Sequence, residues 1–182
     1  MTDAPRDRLL AATVAHFAAN GLGDLSLRSL AAALGTSHRM LLYHFGSKEA
    51  LLAAVVAQVE AGQRDTLAAL AASDDPPAVA ALRFWRGLTD PAVRPHVRLF
   101  FELVALTLQG HPATAALRET LVAPWIDAVA AAELRRGRSP AEARARARLG
   151  VAAARGLLLD LLVTDDLEGV DAAMAAFVDA FA

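Results

Sequence analysis

The chain has 182 residues, 55% of them hydrophobic, no cysteine and a formal net charge of −2. That length can bury a real core as one large or two small domains. The absence of cysteine excludes disulfide frameworks and thiolate chemistry, and the near-neutral charge excludes nucleic-acid binding through bulk charge alone. Much of the apolar content is alanine, which with leucine and arginine is a strong helix former, so an all-α fold is expected. The opening TDAPRDRLL lacks the basic region and apolar run of a signal peptide. The most apolar stretch, residues 149–163, is interrupted by Arg155 and Asp160 and is too short to cross a bilayer. A cytoplasmic protein with no membrane partner is expected.

In chain order, a first helix is predicted from Pro5 to Asn20 with Leu10, Val14 and Phe17 as its apolar stripe, ended by Asn20-Gly21. The segment SLRSLAAALGTSHRMLLYHFGSKEALL, Ser26 to Leu52, follows. Ser26 is a good N-cap, and Leu25 and Leu30 sit at the positions of a hydrophobic staple. Leu27, Leu30, Ala31 and Leu34 recur at helical spacing. Gly35 supplies the freedom for a turn, Thr36 or Ser37 caps the next helix, and its Met40, Leu41 and Phe45 can face the preceding one. Two short helices joined through a glycine turn form the helix-turn-helix pattern, whose second helix enters the major groove. Ser37, His38, Arg39, Tyr43 and His44 then crowd its exposed side and offer groups that bases and phosphates accept. An ordinary αα-hairpin with a solvated polar face has the same spacing.

Ser47 is the predicted N-cap of a longer helix and Glu49 suits the positive end of its dipole. Lys48 does not, a choice that is rational where a phosphate sits nearby. This helix should continue toward Ala72, and about 25 residues span roughly 37 Å. The charges of residues 1–50 nearly cancel: Arg6, Arg8, Arg28, Arg39 and Lys48 against Asp3, Asp7, Asp24 and Glu49.

Ser73 to Pro77 reads as a loop, with Asp74 and Asp75 capping the next helix rather than holding a metal. That helix, residues 78–88, carries Leu82, Trp85 and Leu88. Residues 95–109 are apolar nearly all round, the pattern of a helix buried on every face. Its Glu102 needs a partner, either Arg98 one turn earlier or a ligand's amine or hydroxyl. Pro124 kinks or divides the helical stretch 113–136. Trp85, Phe100, Phe101 and Trp125, with Glu102, either line a small-molecule cavity or belong to the core. Ser139-Pro140-Ala141-Glu142 starts a helix running to about Val163. Arg144 and Arg148, with Arg135, Arg136 and Arg138 upstream, read as a solvated basic face. Val170, Met174, Phe177, Val178 and Phe181 form the stripe of a last helix. These last two helices carry more apolar surface than one antiparallel pair needs, and two copies would make a four-helix bundle. No GxGxxG, P-loop, HxxxH or CxxC spacing is present, so no enzyme, metal or cofactor is expected.

Phe17, Gly21, Ser26, Leu30, Ala31, Gly35, Ser37, Leu41, His44, Phe45, Ser47, Lys48, Glu49, Leu51 and Leu52 together resemble the N-terminal signature of TetR-type transcriptional regulators, over roughly residues 6 to 55. Two positions depart from it: Leu42 precedes Tyr43 where the family commonly has Tyr directly after Leu41, and Thr36 follows Gly35 where an aliphatic residue is common. Which side chain makes the tyrosine–phosphate contact is therefore open. The resemblance implies an all-helical homodimer with a DNA-binding domain at 1–46, three helices with a helix-turn-helix, and a ligand-binding and dimerisation domain at 47–182. It implies DNA contacts from Arg28, Ser37, His38, Arg39, Tyr43, His44 and Lys48, and a dimer interface through Leu158, Leu161, Met174 and Phe177, which otherwise finish the monomer's own core. The function it implies is a repressor that binds a palindromic double-stranded operator and is released by a small apolar or amphipathic effector. A transcriptional activator, or a helical protein-interaction module with a vestigial helix-turn-helix, are the alternatives.

Overall fold

A computed structural model describes residues 4–23, 26–71 and 75–181. The elements are α1 (Ala4–Asn20), α2 (Leu27–Ala33), α3 (His38–Phe45), α4 (Lys48–Ala71), α5 (Pro77–Thr89), α6 (Arg94–Leu108), α7 (Leu117–Thr120), α8 (Ala123–Arg135), α9 (Pro140–Thr164) and α10 (Leu167–Phe181). A single 3₁₀ turn (Pro112–Thr114) precedes α7, and no strand occurs among the described residues. No single described helix is long and apolar enough to cross a membrane. Leu25, Asp24, Ala72, Ser73 and Asp74, and with them the expected staple and most of the expected acidic loop, lie outside the described residues.

Local chemistry sets most helix starts. The hydroxyls of Ser26, Ser37, Ser47 and Ser139 accept the N–H groups of Ser29, Met40, Ala50 and Glu142, each three residues on. Each thereby satisfies a donor that the first helical turn leaves free. Gly35 (φ +64) and Gly46 (φ +80) make the turns before α3 and α4 in a region that side chains with a Cβ resist. Pro124 lies in the first turn of α8, so it divides the chain there instead of kinking a continuous helix.

The chain divides into two compact units. The first, Met1–Gly62 with Pro95–Arg118, contains α1–α3, the first part of α4 and α6. Its core is built from Phe17, Leu30, Leu41, Leu51, Val55, Leu99, Leu103 and Leu117, each at most 3% exposed. Arg6 of α1 lies over the Phe45 ring, 5.1 Å from its centre, a cation–π contact that commits this cation to the core edge. The expected burial of α6 on every face is not met. Val97, Leu99, Leu103 and Thr107 form one buried stripe, whereas Leu108 is 82% exposed. Apolar composition specifies what a helix can bury, but burial requires a neighbour on that side.

The second unit, Gln63–Arg94 with Glu119–Ala182, contains α5 and α8–α10. Ala143 and Ala147, both fully buried, let α9 approach α8 closely, where they meet Ile126 and Ala130. The Trp85 indole N–H donates to Asp171 at 2.6 Å and joins α5 to α10. Leu158, Leu161 and Met174, expected at a dimer interface, are already buried inside the single chain at 7, 2 and 4% exposure, and Phe177 is half-buried. Of the Arg cluster, Arg135, Arg136, Arg144 and Arg148 are exposed, as expected of a solvated face, and Arg138 is half-buried. Glu133, 9% exposed, takes Arg136 at 3.0 Å, Arg138 at 2.8 Å and Arg146 at 2.9 Å.

Candidate nucleic-acid interface

The first unit presents α3 outward by a simple division of its residues. Leu41 and Phe45 lie four apart and are buried at 1 and 8% exposure, which fixes the inner face. The opposite face is left to Arg39 and Tyr43, also four apart; Arg39 is exposed and Tyr43 is 76% exposed. Leu42 is 37% exposed beside them. Ser37 is exposed and caps the helix, and His38 behind it is half-buried. Arg28 of α2 and Lys48 of α4 are exposed on the flanking helices of the same unit. Among the described residues, Arg28, Arg39 and Lys48 form no ion pair with another side chain.

His44 sits differently. It is half-buried, its ring meets Tyr43 edge-on with centres 5.1 Å apart, and it lines an open cleft of about 310 Å³. Pro5, Arg8, Leu9 and Ala12 of α1, with Thr36 and Met40, complete that cleft. Met40, expected to face inward, is 42% exposed there, because the short α3 already fills its inner face with Leu41 and Phe45.

The start of α4 is electrostatically ordered. Glu49 is held below its ordinary range, first by a hydrogen bond from its own backbone N–H, then by the Ser47 hydroxyl, with smaller help from the charges of Lys48 and His111. A carboxylate at the positive end of the helix dipole is favourable. The arrangement suits a phosphate near Lys48 and the exposed first turns of α3 and α4.

Trp85 and Trp125 belong to the second unit, and Phe100, Phe101 and Glu102 to the first. Trp85 is 2% exposed with its N–H taken by Asp171. Trp125 is half-buried and tilts against Phe84 at 5.9 Å. Phe100 and Phe101 are half-buried and edge-on at 5.4 Å. Glu102 accepts the Leu22 N–H at 2.6 Å and lies 3.7 Å from Arg98, which itself donates to the Ala18 carbonyl at 2.7 Å. No local pattern pointed to Leu22 as the partner of Glu102 or to Ala18 as the partner of Arg98, since each pair spans 80 residues. Among the described residues no cluster of His, Asp or Glu is placed to hold a metal ion.

Residues 9–55 match the family model of bacterial regulatory proteins, tetR family. No curated protein matches the sequence. Among solved structures, a transcriptional regulator from Rhodococcus sp. Rha1 is 23% identical, with a TM-score of 0.79 over 96% of this chain and 94% of that one. A protein described as a transcriptional regulator from Saccharomonospora viridis, solved in complex with choline, is 21% identical, with a TM-score of 0.78 over 99% and 96%. The multidrug binding protein EbrR, complexed with ethidium, is 24% identical, with a TM-score of 0.64 over 94% and 96%. At these identities the likeness establishes a shared helical fold.

Proposed function

We propose that this chain, whose residues 9–55 match the family model of bacterial regulatory proteins, tetR family, is a dimeric, ligand-responsive repressor of transcription. The observation that carries the reading is the outward face of α3: Arg39 and Tyr43 exposed one turn apart, flanked by exposed Arg28 and Lys48. Arg39 and Tyr43 read bases or phosphates in the major groove, with Ser37 and His38 at the helix start; Lys48 anchors the backbone. The head is residues 1–46, and residues 47–182 receive the effector and the second copy.

Dimerisation uses the side of α9 that one chain leaves open. Leu149, Ala152, Gly156, Leu159 and Val163 are spaced alternately three and four residues apart. Leu149, Leu159 and Val163 are 45, 49 and 78% exposed, and Ala152 and Gly156 are exposed. That is the seam of a helix packed against a parallel or antiparallel partner. Exposed Ala172, Ala173, Ala176 and Ala180 continue a small-residue surface along α10, and two copies close a four-helix bundle. Such a dimer presents two α3 helices to half-sites about one helical turn apart, roughly 34 Å.

The effector is a small apolar or amphipathic molecule that favours a dimer with the wrong head separation, and it releases DNA by its differential affinity for that state. Complexes of structural relatives with choline and ethidium support an effector of that size. Selecting bound sequences from a random duplex pool at near-physiological salt tests the proposal. A palindromic motif with half-sites one turn apart is expected. Salt-sensitive retention without any motif would sink it and leave a helical protein-interaction module.

A further inference from the structure

We propose that Arg98 and Glu102 of α6 are positioning residues for the DNA-contacting helices: together they cap the end of α1 and hold the start of the α1–α2 link. A helix ends with carbonyls that have no intrahelical partner, and the chain leaving it exposes N–H groups. Gly21 resolves part of this locally, since at φ +80 its N–H closes onto the Phe17 carbonyl at 2.7 Å. The Ala18 carbonyl and the Leu22 N–H remain, and α6 supplies a partner for each. Arg98 donates to Ala18 at 2.7 Å and Glu102 accepts from Leu22 at 2.6 Å.

The charges are correctly assigned. A guanidinium stands at the carbonyl end of α1, where the helix dipole is negative, and a carboxylate takes the N–H. Both bonds are charge-assisted, the stronger class of hydrogen bond. Arg98 and Glu102 are one turn apart on α6, with Nε and Oε1 at 3.7 Å, so each orients the other. Gly21 completes the fit: a Cβ there would stand 3.1 Å from the Glu102 carboxylate in a backbone conformation that L-residues resist. Leu22 lies four residues before Ser26, the N-cap of α2. α2 in turn packs on α3. The clasp therefore locates the element from which the helix-turn-helix hangs, and its loss leaves α3 folded but less well aimed.

This inference rests on the DNA-binding reading for its functional arm and on exchange at one amide for its structural arm. The full chain is compared with E102A, E102Q and R98A by hydrogen exchange at the Leu22 amide, by unfolding midpoint, and by affinity for two duplexes of equal length: the one selected by the wild type and a random one. E102A should accelerate Leu22 exchange roughly 10- to 100-fold, the equilibrium worth of a charge-assisted bond. It should weaken the selected duplex by about 10-fold and leave the random duplex within about 2-fold. E102Q keeps an acceptor without the charge and should fall between. Unchanged Leu22 exchange in E102A overturns the clasp whatever the DNA result. Equal weakening on both duplexes, or losses that track the unfolded fraction, overturns positioning in favour of plain stability. Selection of no duplex by the wild type overturns the DNA reading and the positioning role with it, while the exchange result still decides whether the clasp exists.

Discussion

Replacing Glu133 tests the energetics of the second unit. Its carboxylate is 9% exposed and faces three guanidinium groups at 3.0, 2.8 and 2.9 Å. Burial by itself pushes the Glu133 carboxyl up, but the hydrogen bonds and charges of Arg136 and Arg146 outweigh it and hold the group below its ordinary 4.5. Removing one partner of a buried ion pair costs about 3–5 kcal/mol, because the other charge stays behind without compensation. Two features reduce that here. The arginine side chains keep 20–31% of their surface in water. Arg138 also retains Glu142 at 2.7 Å, and Arg146 retains the Phe181 carbonyl and ring. We therefore expect E133A to cost about 2–3 kcal/mol and to lower the melting midpoint by roughly 4–12 °C for a chain of this size. Urea unfolding followed by circular dichroism, at fixed protein concentration, measures it. A loss below about 0.5 kcal/mol, the scale of an ordinary surface substitution, would show that the three arginines re-solvate freely and would refute the buried hub.

The same group sets a pH dependence. Since the folded carboxyl is held below its unfolded value, its stabilisation is complete above about pH 4.5 and fades as pH falls through the lower folded value. E133Q should flatten that acid limb in pH-dependent unfolding, and an unchanged limb would reject the assignment. K48A should weaken binding to all duplexes alike and reduce the salt slope by about 0.9, whereas R39A should weaken the selected duplex more than a random one. Fluorescence anisotropy titrations at several salt concentrations separate the two. L159E, placing a charge in the α9 seam, should convert a dimer to a monomer in sedimentation while the far-ultraviolet spectrum stays helical; a persistent dimer would move the interface elsewhere. L51A removes a fully buried side chain and should cost about 2–5 kcal/mol in urea unfolding.

Short-range chemistry made much of this protein legible from its residues. The caps at Ser26, Ser37, Ser47 and Ser139 act across three positions, and the turns at Gly35 and Gly46 depend on one backbone angle. The inner face of α3 follows from the four-residue interval between Leu41 and Phe45. These constraints are written within one turn of helix, so the helix-turn-helix and the all-α class followed from the sequence alone, whereas the half-burial of His38 and His44 and the exposure of Met40 did not.

Tertiary structure decided what joins residues far apart. Glu102 had two open partners in the sequence, and its hydrogen bond to Leu22 spans 80 positions. Glu133 has arginines close by in the sequence, but Arg146 reaches it from 13 positions away only through the packing of α9 on α8. Apolar stripes behaved likewise: Leu158, Leu161 and Met174 carried the same signal whether they met their own chain or a second copy, and only the packing of one chain showed them already covered. Hydrophobic pattern records that a side chain leaves water. It does not record against what, because burial is non-directional and the neighbour is chosen by the fold.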